Sequence, residues 1–195
     1  MGQFFSKKLK LQWAIIRTPS LKVVLGAGPT SYPGWINTDI DTLDITNSAS
    51  WKALFGRRRA AKLLAEHVWE HLTDTSTAQA NSNCLTFLQT GGRLRLAVPD
   101  GFHPDPAYRE HVRPGGTGPG ADDHKILYNY KTMVGRLEQA GFQVILLEYW
   151  DEQGQFHFSD WSADDGYIDR SKRYDPRNQD GSLSYTSLIV DAVKP

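Results

Sequence analysis

Two short apolar runs separated by a glycine turn constrain this chain more than any other feature. Val23-Val24-Leu25 stops at Gly26-Ala27-Gly28, and a second run, Trp35-Ile36-Asn37-Thr38-Asp39-Ile40, ends among carboxylates. The pattern reads as strand, glycine turn, strand. Glycine tolerates positive φ and lets a ligand approach the backbone closely. A carboxylate ending the next strand can accept hydrogen bonds from ribose hydroxyls. Together these outline a nucleotide-type pocket. A full G-x-G-x-x-G would need glycine where Ser31 stands. Residues 29–34 are also too few for a crossover helix, which takes about a dozen residues or more, so the first crossover helix is expected to be shortened or absent.

Further along, residues 61–68 (AKLLAEHV) read as a buried strand, and residues 75–89 as a helix with Cys84, Leu85 and Leu88 on one face, stopped by Gly91-Gly92. Residues 93–98 (RLRLAV) alternate like a strand. A helical crossover between these two strands implies parallel pairing with the usual right hand. Residues 102–125 form a long loop rich in proline, glycine and ionisable groups, of the kind that is functional or disordered. Asn129 can cap a helix that runs to about residue 140, with Met133, Leu137 and Ala140 on one face and Gly141 ending it. Residues 142–149 and 183–193 read as the last two strands, separated by a polar, aromatic stretch at 150–182.

With 195 residues the chain reads as a single domain, with residues 1–20 as an N-terminal extension and residues 99–125 and 150–182 over the site. Its 22 basic and 22 acidic side chains balance. No global field therefore draws it to nucleic acid or an anionic membrane, and neither is expected as a partner. The sole cysteine, Cys84, has no partner for an internal disulfide, which points to a reducing compartment, the cytoplasm. The start of the chain lacks a signal-peptide cleavage pattern, and no apolar run is long enough to span a bilayer. Met1-Gly2 with Ser6 fits only the loose myristoylation pattern. Arg57-Arg58-Arg59 is the one basic cluster and reads as a solvated loop.

Alternating strands and helices predict an α/β fold with an open, mostly parallel sheet, whose ligands bind outside the carboxyl ends of the strands. Residues 26–28, Asp39, Asp41, His67, residues 99–103 and Trp150 all follow predicted strands and should share that rim. GAG after an apolar strand, PGWINTDID, AEHVWEHL, GGRLRLAVPDG, and DDHK ahead of a helix ending in AGF resemble, in that order, the class I S-adenosylmethionine-dependent methyltransferases, most of all their small bacterial branch. The resemblance covers residues 21–142 and implies a Rossmann-like sheet with an antiparallel C-terminal strand. It also implies S-adenosyl-L-methionine as cofactor and methyl transfer to a small-molecule or sugar-containing (glycan-type) acceptor. It places Gly26, Ala27 and Gly28 beside the methionine part of the cofactor and Asp39 on the ribose, with Asp41 as a neighbour that could substitute. Asp44 falls near the adenine, and Glu66 and His67, on the same rim, complete the expected cofactor-binding set. Two features depart from the family pattern: Val23 and Val24 stand where an acidic residue is usual, and the first crossover helix has no room.

Methyl transfer from a sulfonium is an in-line displacement in which alignment and desolvation dominate. For a hydroxyl acceptor a histidine near neutral pKa can take the proton, and His124, His67 and His103 are the rim candidates. His124 comes first, because Asp122 and Asp123 precede it and a carboxylate can orient an imidazole. Two other readings compete. The fold could serve as a non-catalytic binding domain. Alternatively, His67-Val68-Trp69-Glu70-His71 matches H-x-x-E-H, which on a helix would set two zinc-binding histidines on one face with Glu70 beside the attacking water. No third ligand can be chosen from the sequence, and no metal set is assigned. Oligomeric state and acceptor identity are likewise open.

Overall fold

In a computed structural model, the backbone is described for residues 2–195 and the side chains for residues 7–195. The myristoylation pattern, which needs Met1, therefore lies outside the described residues. Helix α1 (Gly2–Arg17) precedes strands β1 (Lys22–Val24) and β2 (Ile36–Asn37), helix α2 (Ser48–Phe55) and strand β3 (Ala60–Glu66). Helix α3 (Asp74–Phe87), β4 (Leu88–Pro99), α4 (Pro106–Val112), α5 (Tyr130–Gln139), β5 (Gln143–Trp150), β6 (Phe156–Phe158) and β7 (Ser187–Val193) follow. The sheet has seven strands in the order β2-β1-β3-β4-β7-β5-β6. Strands β2, β1, β3 and β4 pair in parallel, whereas β7 is antiparallel to both β4 and β5. This is the expected mostly parallel α/β sheet with an antiparallel C-terminal strand. Strand β6 adds a second antiparallel edge. No helix separates β1 from β2. Among the described residues, no helix is long and apolar enough to cross a membrane.

Period-2 alternation divides the sheet into two faces. Leu63, Leu94, Leu96, Val98, Leu188 and Val190 point to the face that receives the helices, where they meet Ile15 of α1, Trp51 of α2, Cys84 of α3 and Leu137 of α5. Trp51 is fully buried, donates Nε1–H to Ile45 O at 2.9 Å, and stacks on Phe87 with ring centroids 5.3 Å apart. The opposite face carries a smaller apolar group, Val24, Leu64, Ala97 and Ile189, covered by Trp161 and Ile168 from the long segment between β6 and β7. That segment takes the place of a second helical layer. Three charged side chains of the sheet hold its backbone. Glu66 accepts the amides of Asp169 and Arg170 at 3.0 and 2.8 Å, and Arg95 donates to Ser162 O and Gly166 O, both at 2.7 Å. Glu148 accepts the Lys172 amide at 2.8 Å and Trp161 Nε1–H at 2.9 Å.

Several elements differ from the sequence reading. Gly91-Gly92 does not stop α3: the helix ends at Phe87 and passes directly into β4, and both glycines lie inside that strand. The β3–β4 register shifts between Ala60 and Lys62, and a Cβ on Gly92 would meet Ala61 O at 3.1 Å, so the glycine pair accommodates an irregular ladder rather than a helix end. The 102–125 stretch contains α4, capped by Asp105, whose side chain accepts the Ala107 amide, with Pro106 at the first helical position. Strand β7 begins at Ser187 rather than 183, because Asn178 takes up both backbone groups of Tyr185. The basic cluster is a solvated loop as expected, with Arg57 and Arg59 exposed, although Arg58 donates to Thr18 O and Pro19 O and Arg59 lies 4.9 Å over the Phe87 ring.

Candidate functional site

The chain leaves β1 for β2 on one side and returns to β3 on the other, so the carboxyl ends of β1 and β3 form the switch point at which open α/β sheets bind ligands. The glycine turn sits there, with φ of 62° at Gly26 and 53° at Gly28. Backbone bonds stitch it to both neighbours: Leu25 N to Leu64 O at 2.8 Å, Ala27 N to Thr38 O at 2.9 Å, and Thr38 N to Val24 O at 2.9 Å. Asp39 closes the turn, accepting the Gly28 amide on Oδ2 at 3.0 Å and its neighbour Ile40's amide on Oδ1 at 2.8 Å. Each carboxylate oxygen has two lone pairs, so Asp39 retains capacity for a further donor.

A cavity of about 490 Å³ opens beside Asp39. Leu43, Ile45, Val68 and Leu72 give it an apolar wall, and Asp39 and Asp44 an acidic edge. Asp44 Oδ1 also accepts from Thr46 N at 3.0 Å and Thr46 Oγ1 at 2.7 Å. Asp41 does not line this cavity; it turns to α1 and pairs with Lys7 Nζ at 2.6 Å. On the other side of Gly26, Ala27 and Glu66 border a polar cavity of about 350 Å³ that also takes in Arg170 and Arg177. Burial raises the Glu66 carboxyl, while the amides of Arg170 and Asp169 pull it down. Its oxygens are engaged with the 150–182 segment.

The three candidate histidines make different contacts. His67, the one non-glycine residue with positive φ (54°) among the described residues, ends β3 with its Nε2 3.0 Å from Ser187 Oγ. Burial depresses its pKa well below the usual range and keeps the ring neutral. His124 donates Nδ1–H to Val112 O at 2.7 Å; Asp123 bonds instead to His71 Nδ1 at 3.2 Å. The Asp–His pair anticipated for His124 is thus formed by His71, because the 102–125 stretch folds back on the turn at Trp69–His71. His67, His71 and His124 share a third cavity, of about 400 Å³, with Glu70, Arg170 and Tyr185. His103 lines none of the three. It stacks on Tyr108 at 3.9 Å, donates Nε2–H to Leu183 O and accepts the Asp105 amide on Nδ1, both at 3.2 Å. Residues 67–71 are not an α-helix, only a 3₁₀ turn at Trp69–His71, so His67 and His71 do not share the helical face that an H-x-x-E-H zinc site requires.

Asp100 fastens this rim. Buried after β4, it accepts the Phe102 amide at 2.9 Å on one oxygen and the Trp150 amide at 2.8 Å on the other. Burial pushes its carboxyl up to about 6, against the pull of those two amides. A carboxyl whose folded pKa is raised gives stability that is fully present below its unfolded pKa and lost as pH rises through the folded one. The loss therefore falls between about pH 4 and pH 6 and amounts to about 3 kcal/mol for a shift of this size. In urea unfolding, Asp100→Asn should show a shallower stability decline than wild type across that window. A parallel decline would move the effect to another carboxyl.

No protein-family model and no curated protein sequence matches this chain. Solved structures do. An S-adenosylmethionine-dependent methyltransferase of Thermotoga maritima, described as a possible histamine N-methyltransferase, aligns over 98% of this chain and 91% of its own, at TM-score 0.53 and 11% identity. The methyltransferase in a complex with the Trm112 activator of Haloferax volcanii aligns over 100% and 94%, at TM-score 0.50 and 12% identity. The CurJ carbon methyltransferase aligns over 91% of this chain and 49% of its own, at TM-score 0.51 and 16% identity. The chain has a class I methyltransferase fold.

Within the methyltransferase fold, this chain keeps the switch point but alters what surrounds it. No helix follows the glycine turn, so no helix N-terminus aims amides at the pocket, and the turn is held instead by Thr38 and Asp39. The 150–182 segment brings Arg170 and Arg177 to both polar cavities beside the switch point. Sequence reasoning missed both arginines, because they lie in irregular chain far from the glycine turn. It also gave Glu70 only the role of a hydrolase base. The one available signal for Glu70 was a carboxylate in the turn that follows an apolar strand.

Proposed function

We propose that the protein is an S-adenosyl-L-methionine-dependent methyltransferase acting on a small-molecule or sugar-containing acceptor. One observation carries this reading: the switch-point cavity is apolar on one wall and acidic on the other, and it adjoins a glycine turn closed by Asp39. Those residues fit the cofactor. The wall of Leu43, Ile45, Val68 and Leu72 suits an adenine ring, and the free lone pairs of Asp39 suit ribose hydroxyls. Gly26 and Ala27 border the polar cavity and leave room beside the turn for the methionine part, and Arg170 supplies a cation for its carboxylate. When bound, the cofactor supplies an electrophilic methyl group. The chain's own part is to align the acceptor and exclude water. The cavity holding His67, Glu70 and His124 adjoins the cofactor cavity through His67 and is the place for the acceptor.

Calorimetric titration with S-adenosylmethionine and S-adenosylhomocysteine tests this, with one bound molecule per chain expected. Asp39→Ala should weaken binding about 10- to 100-fold, since a charged hydrogen bond contributes about 1.5–3 kcal/mol. No heat and no thermal shift at millimolar ligand would defeat the methyltransferase reading. Unchanged affinity in Asp39→Ala would remove the ribose role from that carboxylate.

A further inference from the structure

Glu70 is the least explained side chain in the protein. It is 1% exposed, and neither carboxylate oxygen has a hydrogen-bond partner among the described residues. His67 Nδ1 lies 3.3 Å from Oε1, but out of line for a hydrogen bond. A carboxylate removed from water without compensation costs several kcal/mol, and such groups are found paired, protonated or coordinating a metal. Glu70 also lines the cavity that His67, His71, His111 and His124 share. One ligand atom from each of Glu70, His71 and His124 lies within 4.8 Å of the other two, and the two rings meet edge to face with centroids 4.8 Å apart.

The outer bonds of the two rings favour the same conclusion. His71 directs Nδ1 at the Asp123 carboxylate and His124 directs Nδ1 at the Val112 carbonyl. Each ring therefore carries its proton on Nδ1 and a lone pair on Nε2. A carboxylate or a backbone carbonyl behind an imidazole is the usual outer support of a metal-binding histidine, fixing both tautomer and ring plane. Two imidazoles and a carboxylate suit a first-row divalent ion, and three protein ligands leave a coordination position open.

We infer that Glu70, His71 and His124 form a site for a divalent transition-metal ion of the zinc or manganese type, with its open position facing the acceptor cavity. Both imidazole ligands border that cavity, which Arg170, Arg177 and Tyr185 also line. The consequence for catalysis rests on the methyltransferase reading. A hydroxyl oxygen of the acceptor on the ion becomes more acidic and loses its proton to solvent. Its lone pair then forms the O–CH₃ bond while the S–CH₃ electron pair returns to sulfur, leaving the neutral thioether. On this assignment the acceptor is a hydroxyl compound, and His124 holds the ion rather than serving as base.

Metal binding is measured on the metal-free full chain by calorimetry with Zn²⁺, Mn²⁺ and Mg²⁺, and by the visible spectrum of Co²⁺. One ion of Zn²⁺ or Mn²⁺ per chain is expected, held more tightly than Mg²⁺. Glu70→Gln and His124→Ala should each weaken it at least 100-fold. Asp123→Asn, which changes the carboxylate behind His71 and none of the three ligands, should weaken it about 10- to 100-fold. Metal-free Glu70→Gln should melt no lower than wild type, since that carboxylate has no hydrogen bond to lose, and it should still bind S-adenosylhomocysteine. Absence of stoichiometric binding of any of these ions to wild type would overturn the metal site, whatever the cofactor does. So would wild-type affinity in Glu70→Gln, or a markedly lower melting point in that variant. Stoichiometric metal binding without cofactor binding would leave the site in place and defeat only the methyl-transfer role.

Discussion

Arg95→Ala is expected to destabilise the protein by about 3–5 kcal/mol in urea unfolding, the range found when one partner of a buried ion pair is removed. Arg95 is fully buried on β4 and meets Asp191 of β7 with Nε to Oδ1 at 2.7 Å and Nη2 to Oδ2 at 2.8 Å. Its remaining nitrogen holds Ser162 O and Gly166 O, and its guanidinium lies 4.8 Å over the Trp161 ring. Truncation would leave Asp191, 1% exposed, with Arg93 Nη1 at 2.8 Å as its remaining ion-pair partner. It would also strip two carbonyls of the covering segment of their donor. Because Arg93 stays, the loss should fall toward the lower end of that range. The double variant Arg95→Met/Asp191→Leu removes both charges and should recover much of the loss, since a buried pair replaced by apolar side chains is often neutral. A change under about 1 kcal/mol in Arg95→Ala would show that the pair contributes little, as exposed pairs do. Arg95→Ala should also become more sensitive to limited proteolysis around residues 162–166, where the covering segment loses one of its three anchors.

That anchor also shows where sequence reading stopped. The RLRLAV alternation sorts Leu94, Leu96 and Val98 onto the helical face, and the structure agrees. The same alternation assigns Arg93 and Arg95 to a face that ought to meet water. Arg95 is instead buried, because the 150–182 segment lies over it. Glu66, Arg95 and Glu148 each hold backbone groups of that segment, which leave no mark on composition or periodicity, and those held by Glu66 and Arg95 lie far along the chain. Local chemistry was readable. Asn129 caps α5 with a reciprocal bond from Thr132, and Met133 and Leu137 face the core as their spacing requires. The Asp105-Pro106 signature of α4 was equally local and was hidden only by the glycine and proline around it. Within the site, the glycine turn and Asp39 were legible because strand ends follow from pattern. Arg170, Arg177 and the surroundings of Glu70 were not, because they depend on how two irregular segments fold back over the sheet.

Gly26→Ala is expected to cost about 2–4 kcal/mol, the sum of placing an L-residue in a left-handed conformation and of overpacking a filled site. At Gly26 φ is 62°, and an added Cβ would lie 2.7 Å from Val68 Cγ2. Two causes can therefore explain this glycine: close packing of the β1 turn against the turn after β3, or close passage of a cofactor. The double variant Gly26→Ala/Val68→Ala separates them. Truncating Val68 removes the contact and should return the overpacking part of the loss, leaving a deficit set by the positive φ and by the smaller apolar wall. If the cofactor passes the turn, the folded double variant should still bind S-adenosylhomocysteine at least 10-fold more weakly than Val68→Ala alone, because the methyl group at position 26 remains. Equal affinity in those two variants would mean that Gly26 serves packing, and the methionine part would then have to lie along Gly28. There φ is 53° and an added Cβ would have nothing within 4 Å. The glycine of this turn that has open space around it would then be the one that faces the ligand.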